Sequence, residues 1–566
     1  MLPWGQAEAR LKSSPWVCFR HMDVGHGPAK VGKNAGDAMD YPLVIGELLK
    51  TGLRANPAQR ITYAGGVDLT YAQFGARVHR LGSALAGLGL GEGAVVAVMD
   101  YDSHRYLECF FAIPMLGATL HTVNVRLSPE QVLYTITHAQ DDAILVHEDF
   151  LPLLLPLLPR ITRPLRLILL SDKPAALPEG FAGTYEALLS AGDASFAFPT
   201  FSESTRATLF YTTGTTGDPK GVTYSHRQLV LHSLGVIACF APIPGKGGIK
   251  ADDVYMPLTP LFHVHGWGFP LIATMLGMRQ VYPGRYEPQK LLHLIAEHGV
   301  TFSHCVPAVL GMVLGATGAE AVNLAGWKVI IGGSALPEGL ARAAMARGID
   351  IHAGYGMSET CPVLTIADMA ATQGREDTTA IRIATGKPIP LVEVRVVDGD
   401  MNDVAHDGAA TGEVVTRAPW LTEGYLHNPA GTADLWRGGW LHTGDVGNMT
   451  PDGTLRITDR LKDVIKSGGE WISSLELESL ISAVAGVGEV AVVGVPDDRW
   501  GERPVVVVVA QQDVTEGVKA AVQAAIAAGR LSKWAAPERV LRVEAIPKTS
   551  VGKIDKKAIR ASLMHS

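Results

Sequence analysis

Residues 211–221 read YTTGTTGDPKG, with four threonines, three glycines and one lysine after Tyr211. Gly214, Gly217 and Gly221 permit positive φ and close backbone approach, which exposes successive N–H groups to an anion. Thr212, Thr213, Thr215 and Thr216 add hydroxyls, and Lys220 adds a compact positive charge. The helix-like run HRQLVLHSLGVIA begins just beyond and is expected to add its N-terminal field. Together these groups describe a cradle for a polyphosphate. It is not the GxxxxGK[ST] loop, because Lys220 follows Pro219 and precedes Gly221. Composition alone also fits a flexible surface connection, the less favoured reading, so the remaining chemistry-bearing residues must decide. They are Glu359 in GYGMSET, Asp445 in WLHTGD, Arg460 and Lys462 in DRLKDVIKSGGEWIS, Lys553 in PKTSVGKIDK, and His263 and Trp267 in LTPLFHVHGWGFP.

A chain of 566 residues is too long for one ordinary core, so two or more domains are expected. With 47% hydrophobic and 19% charged residues it reads as compact and folded, not disordered. A net charge of -7 leaves no electrostatic footprint for nucleic acid, so an anionic ligand must find local cations. The five cysteines are scattered, with no CxxC pair, which suits reduced buried thiols in a cytoplasmic enzyme. The apolar run 151–170 carries four prolines and three arginines and reads as buried helix and strand pieces, not a membrane span. The N-terminus lacks a signal peptide's apolar core. Helical and strand patterns alternate through most of the chain, as in 77–90 followed by 93–99, which predicts α/β architecture built from βα units. Short strands are predicted at 207–211, 328–331 and 393–397. After about residue 460 a helix, the strands 489–495 and 504–510, and a basic tail describe a small α+β unit.

In that order the motifs resemble those of the adenylate-forming superfamily, which contains acyl-CoA synthetases, firefly luciferase and the adenylation domains of peptide synthetases. YTTGTTGDPKG is similar to its phosphate loop, GYGMSET to its adenine motif and WLHTGD to its ribose motif. DRLKDVIKSGGEWIS is similar to its hinge and following loop, and PKTSVGKIDK to its C-terminal lysine motif. The resemblance implies that a carboxylic acid and ATP form an acyl-AMP with release of pyrophosphate, and that the acyl group then passes to the thiol of coenzyme A. Thr212 and Glu359 would hold Mg²⁺, a hydroxyl and a carboxylate being donors that ion takes. Thr213, Gly214, Thr215, Thr216, Gly217 and Lys220 would hold the β- and γ-phosphates. Adenine would lie between Tyr355 and the backbone of Gly332, Gly333, Ser334 and Ala335, within a site that also includes Gly354, Gly356, Met357 and Ser358. Asp445 would accept both ribose hydroxyls and Arg460 donate to them. Lys553 would reach between carboxylate and α-phosphate during adenylation; taken alone it reads as one member of a basic face with Lys548, Lys556, Lys557 and Arg560.

The resemblance also implies two orientations of the small domain about Lys462. The second brings Lys466, Ser467, Gly468, Gly469, Glu470 and Trp471 to the acyl-AMP as part of the thiol channel. The expected organisation is an extension over 1–40, an adenylation domain over 41–459, a hinge over 460–463 and a mobile domain over 464–566. His263 matches the position beside the substrate carboxylate. Trp267 falls where some long-chain fatty acyl-CoA synthetases gate an apolar tunnel, although ordinary core packing fits it as well. A medium- or long-chain fatty acid is therefore the expected substrate. The alternatives are an aryl or short methylthio-alkanoic acid, or loading of a carrier protein. Asp218 opposes the charge logic of its loop and is expected to point away from the phosphates. A homodimer is expected, with peripheral membrane contact left open.

Overall fold

The computed structural model describes residues 41–212, 218–241, 243, 247–468, 470–548 and 554–564. The expected extension 1–40, residues 213–217, Gly469 and Lys553 lie outside the described residues. Six parallel strands form one sheet in the order Phe181–Thr184, Arg166–Leu170, Ala143–His147, Val95–Met99, Thr119–Thr122 and Arg206–Tyr211, with Gly221–Ser225 antiparallel at the edge. Val95–Met99 and Ala143–His147 are buried at every residue, as parallel strands covered on both faces must be. A second sheet of nine strands has a parallel centre running Arg60–Tyr63, Arg279–Tyr282, Val254–Leu258, Phe302–Cys305, Lys328–Ile331 and Asp350–Gly356. The helix His104–Met115 contacts strands of both sheets and is buried throughout, so it forms the centre of the main core. Ser103 caps it by accepting from the Tyr106 N–H.

The run 151–170 breaks at its prolines into the helix Leu151–Leu154, a turn of 3₁₀-helix Leu158–Arg160 and the strand Arg166–Leu170. No helix among the described residues is long and apolar enough to cross a membrane. A third sheet orders Glu393–Val397, Gly412–Arg417, Leu441–Met449 and Leu455–Arg460, all antiparallel. Beyond a turn at 461–463 the chain builds its own sheet from Ile465–Ser467, Glu470–Ile472, Val487–Asp497, Gly501–Ala510 and Arg539–Arg542. Strand alternation splits the valine run of Gly501–Ala510 between two cores. Val506 and Val508 meet the helices Ser474–Ser482 and Thr515–Ala527, while Val505 and Val507 meet Ile559 of the last helix, Lys556–Met564. The fold is thus α/β, with a large unit of βα repeats and a small α+β unit.

One local expectation is corrected. The helix His226–Phe240 begins at the expected residue, but its N-terminus does not face the phosphate loop, because the strand Gly221–Ser225 intervenes. That strand pairs Gly221 with Tyr211 and Ser225 with Arg206, so the helix starts at the opposite end of the hairpin. Its dipole falls off within about a turn and does not reach the loop.

Candidate active site

The phosphate-loop hairpin is pinched at its neck. The Thr212 N–H donates to the Lys220 carbonyl at 2.9 Å, and the Lys220 N–H donates to Thr212 Oγ1 at 3.3 Å. Thr213, Gly214, Thr215, Thr216 and Gly217, expected on the phosphates, lie outside the described residues. Lys220 is exposed, and its ammonium sits 4.5 Å from the ring centroid of Tyr425. Asp218 is exposed, and its charge acts on Tyr134 and His138.

The strand Asp350–Gly356, last of the parallel run in the second sheet, carries the first residues of GYGMSET. The Tyr355 hydroxyl donates to Asp445 Oδ2 at 2.7 Å, and Arg460 Nε approaches Asp445 Oδ1 at 3.2 Å. Asp445 and Arg460 are register partners on adjacent antiparallel strands, which fixes that pair before any ligand arrives. The two expected ribose residues and the expected adenine residue therefore form one connected group, and Asp445 is buried within it. Gly332 lies beneath, where an added Cβ would stand 3.1 Å from the Gly354 carbonyl and 3.1 Å from the Trp267 ring. Gly333 follows with φ +80°, and Ser334 and Ala335 are exposed. Such an open backbone strip can approach a flat heterocycle closely.

Glu359 is buried at 6% exposure. Its Oε1 accepts from the Tyr425 hydroxyl at 2.6 Å, and its carbonyl accepts from the Thr422 N–H at 3.0 Å. On the other side, the Tyr224 hydroxyl donates to the Ser358 carbonyl at 2.7 Å, and the Met357 N–H donates to Thr360 Oγ1. Burial pushes the Glu359 carboxyl above the ordinary range, while Tyr425 and, less strongly, Arg460 and Lys220 favour the ionised form. Among the described residues no three His, Cys, Asp or Glu side chains converge as a metal site. A carboxylate from Glu359 and the hydroxyl of Thr212 are hard donors that fit Mg²⁺ only if nucleotide oxygens and waters complete the shell, which is how Mg²⁺ ordinarily binds.

The expected acid side is built on a strained turn. Val264, His265, Gly266, Trp267 and Gly268 all have positive φ. Each non-glycine residue in that region costs about 1–2 kcal/mol. Three contacts hold it: Asp102 Oδ1 accepts from the Leu261 N–H, Thr122 Oγ1 donates to the Phe262 carbonyl, and the His232 ring lies close to Gly268. His263 starts the turn and is half-buried. Trp267 is buried, with its ring 5.3 Å from that of His304 and packed on Gly332. Burial depresses His232, His265 and His304 to about 3, so all three imidazoles are neutral near pH 7.

At the junction of the two units, the Leu461 N–H donates to the Gly444 carbonyl and the Asp463 N–H to the Arg460 carbonyl, forming a turn around Lys462. Burial and the neighbouring Arg460 guanidinium lower the Lys462 ammonium from its ordinary value. Ser467 is buried and pairs with Glu470 across a tight hairpin, and Gly468 adopts φ +61° against the Trp534 ring. Trp471 is 52% exposed, with the Lys466 ammonium 5.4 Å from its ring centroid.

The profile of the AMP-binding enzyme family matches residues 49–426, and that of the AMP-binding enzyme C-terminal domain matches 476–553. The chain belongs to the AMP-binding enzyme family. A long-chain-fatty-acid–CoA ligase of Thermus thermophilus is 38% identical over 87% of this chain and 89% of its own length. A 3-methylmercaptopropionyl-CoA ligase of Ruegeria pomeroyi is 36% identical over 93% of this chain and 98% of its own. Among solved structures, an anthranilate CoA ligase complexed with anthranoyl-AMP aligns with a TM-score of 0.81 at 23% identity, over 92% of this chain and 98% of that one, which fixes the fold. As an AMP-forming acyl-CoA ligase, the enzyme uses ATP to convert a carboxylic acid into its adenylate and transfers the acyl group to coenzyme A, with Mg²⁺.

Of the residues expected in this AMP-binding enzyme's site, Thr212 bonds Lys220, Lys220 and Glu359 meet on Tyr425, and Tyr355, Asp445 and Arg460 form a second linked group. Tyr425 joins them and was not anticipated. It sits in TEGYLHNP, whose only local signal is a glycine before an aromatic. Asp102, which holds the turn before His263, was not anticipated either, because its partners Leu261 and Tyr286 are remote in sequence.

Proposed function

We propose that the acid is a medium- or long-chain fatty acid, and that the residues described above divide the two half-reactions between them. In the first, a carboxylate oxygen of the acid attacks the α-phosphorus, the bond to the β-phosphate oxygen breaks, and pyrophosphate leaves with that electron pair. Thr212, the phosphate loop and Lys220 hold the departing phosphates, and Tyr355, Asp445 and Arg460 hold the nucleoside. Bound Mg²⁺, held by Thr212 and Glu359, supplies charge neutralisation at the phosphates. Lys553 stabilises charge between carboxylate and α-phosphate, and His263 donates to the carboxylate. In the second, the sulfur of coenzyme A attacks the acyl carbon, AMP leaves with the former carboxylate oxygen, and the thiol proton passes to solvent. The loop from Lys466 to Trp471 shapes the thiol's approach after the small unit turns about Lys462.

The observation that carries the acid assignment is the position of Trp267. Its ring packs on Gly332, next to the adenine strip, and belongs to the main apolar core with Ile330, Phe269 and Phe302. An acyl chain entering that core beside Gly332 would meet this side chain. The buried ring fits a second reading as well: if Trp267 stays in place the acid is short, like the methylthio-alkanoic acid acted on by the Ruegeria relative. Rates of acyl-CoA formation across C2 to C18 acids, aryl acids and methylthio acids, for the native enzyme and Trp267→Ala, test the assignment. A native maximum within C6 to C18 that moves to longer acids in Trp267→Ala is expected. A maximum on methylthiopropionate or shorter acids would replace the first reading with the second. A homodimer in the cytoplasm completes the proposal, and sedimentation velocity tests the dimer.

A further inference from the structure

We propose that Tyr425 is a positioning residue that presets the two charged groups flanking the triphosphate: the carboxylate of Glu359 through its hydroxyl and the ammonium of Lys220 through its ring. The inference rests on the reading of Glu359 as a metal ligand. Tyr425 is tied to three separate parts of the site. Its hydroxyl donates to Glu359 Oε1 at 2.6 Å, and its ring centroid stands 4.5 Å from Lys220 Nζ. Its backbone bridges to Val222, and the Leu426 N–H donates to the Gly221 carbonyl at 2.8 Å, which stitches the segment onto the phosphate-loop hairpin beside Lys220. Its own N–H donates to Thr432 Oγ1 at 2.9 Å, at the start of the helix Pro429–Leu435. The ring is therefore fixed at both ends and has little freedom to follow either charged group.

That arrangement answers a physical problem. Glu359 and Lys220 carry opposite charges on one side of the phosphate site, and without nucleotide a flexible lysine would be drawn toward the carboxylate. A direct pair would have to be broken for each nucleotide that binds. Tyr425 gives each group a separate partner on one rigid side chain: a phenol donor for the carboxylate and an aromatic face for the ammonium. Oε1 is occupied by the phenol, which leaves Oε2 as the carboxylate oxygen for a metal. The ammonium rests on a face that offers it no competing salt bridge, so it transfers to phosphate without losing an ion pair. Preorganisation of this kind lowers the ordering cost of binding.

The two functions of the side chain separate in two substitutions. Tyr425→Phe keeps the ring and removes the hydroxyl; Tyr425→Leu removes both. Affinity for a fluorescent ATP analogue (mant-ATP) is measured by titration with Mg²⁺ and with EDTA, alongside Glu359→Gln and thermal melting of each variant. For Tyr425→Phe the expected result is unchanged affinity in EDTA, within about twofold, and at least a fivefold fall in the enhancement given by Mg²⁺. For Tyr425→Leu the expected result is loss of affinity in EDTA as well. Loss in EDTA for Tyr425→Phe equal to its loss with Mg²⁺ would reveal only a packing role and overturn the proposal. Full Mg²⁺ enhancement in Tyr425→Phe, with loss in Glu359→Gln, would overturn it while leaving the metal reading intact. Full enhancement in Glu359→Gln would remove the metal reading and this inference with it.

Discussion

Gly468 lies at the tip of the hairpin assigned to the thiol channel, and replacing it with alanine separates the two half-reactions. The backbone there has φ +61°, and an added Cβ would stand 2.3 Å from the Trp534 ring. An ordinary carbon–carbon contact is about 3.5–4.0 Å, so the overlap exceeds about 1 Å. The ring cannot withdraw freely, because Trp500 packs on it at a centroid distance of 4.5 Å and the Trp500 carbonyl accepts from the Gly468 N–H. A left-handed non-glycine residue costs about 1–2 kcal/mol and overpacking about 1–3 kcal/mol. Together these give about 2–5 kcal/mol against the native loop, a fall in its population of about 30-fold or more. Because the loop serves only thiol attack, pyrophosphate release in a single turnover without coenzyme A should stay within about threefold of native, while acyl-CoA formation from the adenylate should fall at least tenfold. Rapid-quench measurement of both steps on Gly468→Ala reads the difference. Equal losses in the two steps, or undiminished thioester formation, would refute the assignment of this loop.

Two further outcomes follow from the same structure. Lys462→Pro fixes φ in the turn between Arg460 and Asp463 and removes a backbone N–H, so it should spare adenylation and depress thioester formation; equal loss in both would place the pivot elsewhere. Asp102 is fully buried, and burial pushes its carboxyl up to about 7 from 3.8. A folded value above the unfolded one means the folded state keeps a proton the unfolded state has released, so this stability is complete below about pH 4 and is lost as pH rises toward 7, at roughly 1 kcal/mol per unit. Thermal unfolding between pH 5 and 8 should therefore fall more steeply for the native enzyme than for Asp102→Asn, and parallel curves would contradict the burial argument.

Much of the scaffold was readable because its strands are short apolar runs: Lys328–Ile331 and Glu393–Val397 coincide with the predicted segments, and Arg206–Tyr211 begins one residue earlier than predicted. The strand Gly221–Ser225 was not readable, since GVTYS has weak alternation and owes its state to pairing with Arg206–Tyr211; the expected helix does begin at His226, but the strand carries that start away from the loop. At the site, residue types pointed to phosphate, ribose and metal chemistry, but not to the bonds among them. Tyr355 and Asp445 are 90 residues apart and meet only because one ends a strand of the second sheet and the other lies in the third. The left-handed turn from Val264 to Gly268 runs against local preference at three non-glycine residues, and tertiary contacts from Asp102, Thr122 and His232, with the aromatic packing of His265 and Trp267, sustain it.

The most direct test of the two-step chemistry follows an oxygen atom. A fatty acid labelled with ¹⁸O in its carboxylate is turned over with ATP, Mg²⁺ and coenzyme A, and the phosphorus products are analysed by mass spectrometry. One labelled oxygen in AMP, with unlabelled pyrophosphate, is the predicted result, because the carboxylate oxygen becomes the bridge to the α-phosphorus and stays there when the thiol attacks carbon. Label in inorganic phosphate, with ADP as the nucleotide product, would contradict the adenylate route.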